Sequence, residues 1–457
     1  MTETKKRTKK RTDKRTKNKT KKTLQDGGKK LGQGTYGCVV SPPAKCTTHH
    51  NFRRTSYKVD NRFVSKLIDF RHNESGFAEL NIGQKLIKID PKHHHYSPYF
   101  NGCFFTPQRH KDILYFNSDG TDATASPSKS SASSIAQSKS GKKLKKSSKI
   151  HSKLAREFKE KCLLNIDHTY LNLIGSHGGI TLTNIMSLGQ RHDQVIYFKK
   201  NYWYLATYLI HNLYLLHRNK IVHRDIKPSN ITVDFSYIKD ASLAFQKSTQ
   251  IETCRITLID FGLAKEIKKT KYNYDEGREL LSQGTQHYIP LEIFAAKILI
   301  KLLNRGYESN TTQLLNKMIS KSMPKIKRNL EYYHYAGLRN EFFKYTHEKG
   351  TKGGSFFLTK KKIEKVFSYV LDLHQHSNLS KSIASLVYGW DIYSLGIVLA
   401  RIALKFNIDD PEFTTLIFNM IRLEPDKRST IKSLIRHPQY LTYVKYIKKG
   451  HASHNSS

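Results

Sequence analysis

Eight consecutive residues constrain this chain more than any other feature: His223-Arg224-Asp225-Ile226-Lys227-Pro228-Ser229-Asn230. They put a carboxylate, a lysine two residues on and an amide five residues on into one loop. Asp225 can orient a hydroxyl nucleophile, Lys227 can meet phosphate charge, and Asn230 can hold Mg²⁺. A merely polar loop after an apolar helix has no need of these three groups at these offsets.

The partners of such a loop occur in order. Upstream, Leu31-Gly32-Gln33-Gly34-Thr35-Tyr36-Gly37-Cys38-Val39 is a G-x-G-x-x-G-x-V run. Dinucleotide-binding folds also space three glycines, but there a helix follows the last one. Here Val39-Val40 and then Ser41-Pro42-Pro43 read as a strand ending in a turn. The glycines then belong to a strand–turn–strand hairpin whose backbone can lie close over triphosphate oxygens. Residues 63–68 read as a buried strand carrying Lys66, which calls for an anionic partner. Val39 and Val64 would roof an adenine. Phe77, Leu80, Leu86 and Ile89 mark a helical face running to Asp90-Pro91. Glu79 lies mid-helix and is the expected partner of Lys66, with Glu74 as its rival. Residues 256–259 read as a strand that delivers Asp260, a Mg²⁺ ligand, to the aromatic plug Phe261 and the hinge Gly262.

This series, continued by residues 284–292, by Trp390-Asp391 and by Arg428, resembles the eukaryotic-type protein kinase superfamily from residue 31 to about 440. Lys227 and the Gly284-Thr285 pair are similar to the serine/threonine branch. The resemblance implies an α+β, two-lobed protein kinase-like fold with insertions. Its small lobe is mainly antiparallel β with one helix, and its large lobe is mainly α-helical. It implies ATP and Mg²⁺ as ligands and γ-phosphate transfer to serine or threonine hydroxyls of protein substrates. Asp225 would be the catalytic base and Lys227 would touch the transferred phosphate. Asn230 and Asp260 would hold the metal, and Lys66, paired with Glu79, would bind the α/β-phosphates. Leu31, Gly32, Gly34, Thr35, Tyr36, Gly37, Val39 and Val64 would line the nucleotide. Glu292 would pair with Arg428, and Asp391 would anchor the catalytic-loop backbone. Arg224 could clamp a phosphorylated residue of the activation segment, for which Thr270, Tyr272, Tyr274 and Ser282 are candidates. Constitutive activity is the competing expectation, with acidic residues of the segment such as Asp275 and Glu276 satisfying its positive charge internally.

A finer resemblance is to the mimivirus-like kinases of nucleocytoplasmic large DNA viruses. Residues 34–43 with Cys46, Glu79 with Ile89-Asp90-Pro91, Tyr99-Phe100 with Cys103, and residues 178–182 carry it. Three departures from the family pattern stand out. Pro290-Leu291-Glu292 replaces Ala-Pro-Glu. Gly83 falls one turn after Glu79, where a bulky residue usually reaches the Phe261 plug, so that either a neighbour such as Ile82 fills the slot or the helix needs help to lock in. Residues 234–250 read as an inserted hairpin loop between two short strands.

Charge and composition organise the rest. The domain should span residues 27–445, with the small lobe over about 27–175 and the large lobe over about 176–445. A flexible C-terminus should follow over 446–457. The net charge is +42, and residues 1–30 hold 14 Lys/Arg against three acids. A tail over 1–26 without apolar periodicity should be disordered. It would contact nucleic acid or an anionic membrane face through phosphate charge, direct nuclear import, or merely solubilise. Residues 117–150 are a Ser/Lys-rich inserted loop. Residues 293–389 are the largest insertion. Ile363, Val366, Phe367, Val370 and Leu371 recur there at helical spacing, and the insertion should cover the surface of the large lobe. The excess charge extends to the catalytic framework itself, which favours acidic or prephosphorylated substrates.

Five widely spaced cysteines predict reduced thiols and a cytoplasmic or nuclear location, virion packaging being a further option. His93-His94-His95 read as a surface loop rather than a metal site. No run of 18 apolar residues and no apolar leader predict a chain that neither spans a membrane nor is secreted. A kinase-like scaffold that binds nucleic acid or virion components is the alternative function. Intact Lys66, Glu79, Asp225, Asn230 and Asp260 speak against it.

Overall fold

The computed structural model describes residues 29–34, 37–41, 43, 62–105, 168–237, 254–267, 274–307, 310–332, 360–376 and 379–453. The basic tail, the Ser/Lys-rich insert, Thr35, Tyr36 and the loop proposed over 234–250, beyond its first residues, lie outside them.

The small lobe is one five-stranded antiparallel sheet in the order β1-β2-β3-β5-β4. Its strands are β1 (Lys29–Gly34), β2 (Gly37–Ser41), β3 (Phe63–Asp69), β4 (Tyr99–Phe105) and β5 (Tyr170–Ser176). The glycine run is a hairpin, as its composition requires, with Gly34 opposite Gly37. A side chain at Gly37 would run into the Leu67 carbonyl of β3, so the last glycine is sterically fixed. In β3 every residue from Val64 to Ile68 is buried, and Lys66 faces Val39 on one side and Leu173 on the other. Among the described residues of this lobe one helix, α1 (Asn73–Ile89), lies against β4.

In the large lobe a short strand β6 (Ile180–Thr181) leads into α2 (Leu182–Ser187), α3 (Asp193–Lys200) and the buried α4 (Tyr202–Arg218). Short strands β7 (Ile221–Val222), β8 (Ile231–Asp234), β9 (Arg255–Leu258) and β10 (Lys265–Glu266) frame the catalytic loop and the segment after it. Helices α5 (Tyr274–Ser282), α6 (Leu291–Leu303), α7 (Thr311–Tyr332) and α8 (Lys360–His376) follow. They lead into α9 (Leu379–Phe406), α10 (Pro411–Met420), α11 (Ile431–Leu434) and α12 (Pro438–Ser453). The main core gathers α4, α9 and α10 round Leu209, Val398 and Ile417. A second core joins the insertion helices to α5 and α9 round Leu281, Phe367 and Trp390. All five residues of the apolar face expected at 363–371 are buried, and Ile363, Phe367, Val370 and Leu371 belong to this core. The C-terminal helix continues past residue 445, with Ile447 buried in the main core, because Tyr440 and Ile447 share an inward face.

Two sequence expectations are corrected, and one is qualified. His95 is buried and bonded to Asn212 at 2.7 Å, so the histidine run is not a surface loop. Asp90 accepts the backbone amides of His94, His95 and Tyr96 and folds the run inward. Among the described residues no cluster has metal-ligand grouping. Cys38 and Cys103 are disulfide-bonded rather than reduced, since wide spacing along the chain sets no distance in a folded sheet. Cys254 is a free buried thiol, pushed up to about 12 by burial. Finally, Ile383–Phe406 is long and apolar enough to cross a membrane by length and composition, although it is mostly buried within the lobe. A count of unbroken apolar residues passes over it because Asp391 and Arg401 interrupt the run.

Candidate active site

Residues from both lobes converge on Lys66. Its Nζ lies 2.8 Å from Glu79 Oε2 and 2.8 Å from Asp260 Oδ1. Glu79, not Glu74, is the buried partner, while Glu74 is exposed. Burial opposes the Lys66 ammonium, but the carboxylates of Asp260 and Glu79 outweigh it and hold its pKa well above the usual value. Burial raises the Glu79 carboxyl against the pull of Lys66. Burial also works against the Asp260 carboxylate, yet Lys66 holds its pKa below the ordinary range. Gly262 passes directly beneath this triad, where a Cβ would sit 3.3 Å from Glu79 Oε2.

Two residues to which sequence reading gave no role in the site complete this corner. The Tyr99 ring lies under Lys66 Nζ at 5.7 Å. Tyr96 fills the gap left by Gly83: its ring meets Phe261 edge-on at 5.9 Å, in the same core as Ile82 and Leu86 of α1. Phe261 in turn packs on His223 at 4.9 Å. Gly83 is itself explained by the packing, since a Cβ there would overlap the Tyr99 carbonyl oxygen.

The catalytic loop is fixed from below. Asp391 of α9 accepts the backbone amides of His223 and Arg224 at 2.8 and 2.7 Å. Those bonds hold Arg224 at φ 64, and across the site Asp260 sits at φ 60. Both are left-handed conformations that non-glycine residues adopt only under constraint. Asp225 Oδ1 accepts the Thr285 hydroxyl at 2.6 Å, and Lys227 Nζ reaches Asp225 Oδ2 at 2.8 Å. Asn230 Nδ2 donates to the Asp225 carbonyl at 2.9 Å. That leaves the Asn230 amide oxygen and the second Asp260 oxygen as hard donors of the kind Mg²⁺ takes. Thr285 was legible only as a branch marker, yet it braces the carboxylate directly and also accepts from Lys227 at 2.9 Å.

The scaffold pairs fall into place as well. Arg428 binds Glu292 through both carboxylate oxygens, and both residues are buried. Pro290, the residue in doubt, caps the start of α6 one residue before it. Val39 and Val64 share one small apolar cluster of the small lobe, and Leu31 is exposed on β1.

Comparison with known proteins bears on the family. The family described as "Protein kinase domain" matches residues 129–440. A stretch of 96 residues is 29% identical to the mitogen-activated protein kinase pmk-1 of Caenorhabditis elegans, covering 21% of this chain and 19% of that protein. The family match takes in well over half of the chain, and the fold is two-lobed with an antiparallel small lobe and a helical large lobe. The chain therefore belongs to the protein kinase domain family.

Proposed function

We propose that the protein is a serine/threonine-protein kinase that transfers the γ-phosphate of Mg-ATP to protein hydroxyls. The observation that carries the reading is the Asp225 carboxylate, held by Thr285 and Lys227 on a loop that Asp391 fixes. Asp225 accepts the proton of the incoming hydroxyl, and Lys227 meets the phosphoryl oxygens. Lys66, locked between Glu79 and Asp260, grips the α/β-phosphates under the hairpin of Gly32, Gly34 and Gly37, and Val39 and Val64 cover the base. Mg²⁺, held by Asn230 and Asp260, would offset phosphate charge. Thr285 beside Asp225 supports the serine/threonine branch. The kinship with kinases of large DNA viruses, and with it action in the cytoplasm or nucleus of a host cell, rests on the short strings around residues 34–43 and 178–182.

Purified protein incubated with Mg-ATP and mixed acidic and basic peptides should yield phosphoserine and phosphothreonine, with acidic or prephosphorylated peptides preferred. Absence of Mg-dependent transfer would sink the reading. Preference for Arg or Lys around the acceptor would overturn only the substrate class.

The tail adds a separable property. Deleting residues 1–30 should flatten the salt dependence of binding to nucleic acid or acidic lipid, while activity on a short peptide stays intact. Equal salt slopes for the two proteins would reduce the tail to a solubilising arm.

A further inference from the structure

Arg224 is the one buried arginine of the catalytic loop, and it is only 1% exposed. Its Nε donates to the Leu263 carbonyl at 2.7 Å. Its Nη1 donates to the carbonyls of Glu279 and Leu280 in the last turn of α5. Those carbonyls carry the negative end of the helix dipole, which suits a cation. A second cation joins them, for Lys297 of α6 reaches the Ser282 carbonyl at 3.3 Å.

Acidic side chains of the same segment are also engaged. Glu279 pairs with Lys265 at 2.8 Å, and Glu266 pairs with Lys85 of α1. Burial pushes the Arg224 guanidinium down to about 10, and the carboxylates of Asp391, Glu279 and Asp225 offset this only in part. The guanidinium therefore sits among carbonyls and carboxylates that belong to the chain.

What holds α5 in place is the insertion. Leu280 and Leu281 are buried in the core that α6, α7, α8 and α9 build. Gly277 lets α5 touch them closely, since a Cβ there would lie 2.5 Å from Ile383 and 3.6 Å from Ile300. Both isoleucines belong to residues 293–389. The chain of contacts runs from the insertion core through α5 to Arg224, whose neighbour is Asp225.

We propose that the 293–389 insertion holds α5 so that its C-terminal carbonyls fix Arg224, and thereby Asp225, without phosphorylation of the activation segment. Arg224 is a positioning residue here, and the insertion supplies the constraint a phosphate would otherwise impose. The proposal rests on the reading of the chain as an active phosphotransferase.

The test compares three forms of the full chain. These are untreated enzyme, enzyme dephosphorylated to completion by mass spectrometry over residues 260–292, and the variant Thr270→Ala/Tyr272→Phe/Tyr274→Phe/Ser282→Ala. Turnover should agree within about twofold among the three. A loss of tenfold or more on dephosphorylation, or in the quadruple variant, overturns the proposal. Amide exchange over residues 276–282 reads the latch without relying on turnover. Protection like that of α6 in the dephosphorylated chain supports it, and exchange at unfolded rates overturns it even if no substrate is ever found. Gly277→Leu, which pushes α5 off Ile383, should lose that protection. Its kcat should fall at least tenfold with KM for ATP near the original, because the Lys66 corner is untouched. An unchanged kcat together with lost protection would show that α5 does not position Asp225.

Discussion

Asp225→Asn should lower turnover by at least about 10²-fold, the scale for removing a positioned general base. That factor corresponds to about 2.7 kcal/mol of transition-state stabilisation at 1.36 kcal/mol per decade. The substitution isolates the chemistry because the geometry tolerates it. An asparagine of the same shape still accepts the Thr285 hydroxyl that now lies 2.6 Å from Oδ1. It loses the negative charge facing Lys227 and the ability to take a proton. The loop itself is held by Asp391 through backbone amides, so folding should be spared. ATP affinity should change little, since Lys66 and Asp260 are intact. Steady-state kinetics with a phosphoacceptor peptide, alongside nucleotide binding, separates these effects. Turnover like that of the original enzyme would remove Asp225 from its assigned role.

Gly83→Ala should cost about tenfold or more in kcat, although helix propensity alone predicts a gain. Alanine in place of glycine within a helix stabilises by up to about 1 kcal/mol. Against that stands a Cβ overlapping the Tyr99 carbonyl oxygen and 2.8 Å from the carbonyl carbon. Backbone cannot swing aside as a side chain can, so α1 must move away from β4. Overpacking of this kind costs about 1–3 kcal/mol. Displacement carries Glu79 away from Lys66 and weakens the 2.8 Å pair. Gly76→Ala on the same helix is the control. Its Cβ would meet the Leu171 methyl at 2.6 Å and the Ile68 methyl at 3.2 Å, side-chain tips that can yield. Equal kinetics for the two variants would show that the close approach at Gly83 does not set the position of Glu79.

Much of this site was legible because its residues carry chemistry at fixed offsets. Lys66, Glu79, Asp225, Asn230 and Asp260 stand where spacing put them, and Asp391, Glu292 and Arg428 stand in their structural pairs. The inward face over 363–371 followed from helical period alone. The residues that escaped notice act across long sequence distances or through backbone. Tyr96 and Tyr99 look like ordinary apolar residues until β4 and α1 are brought together. Arg224 is legible as a candidate phosphate clamp, while its bonds to the Leu263, Glu279 and Leu280 carbonyls are not, because carbonyl acceptors leave no trace in a sequence. The buried histidines were read as exposed for a related reason, since Asp90 turns them inward through their amides. The disulfides at Cys38 and Cys103 were hidden by spacing that says nothing of proximity.

The long helix α9 has a consequence for how the protein must be made. Its stretch Ile383–Phe406 leaves the ribosome as a segment that composition would send into a bilayer. One helix that packs on it, α10, has not emerged at that moment, because it occupies Pro411–Met420. The nascent chain thus presents an apolar segment before its cover has emerged, and co-translational closure of the large lobe has to wait for α10. Chains cut short before α10, or ribosomes stalled there, should therefore engage chaperones that shield apolar segments.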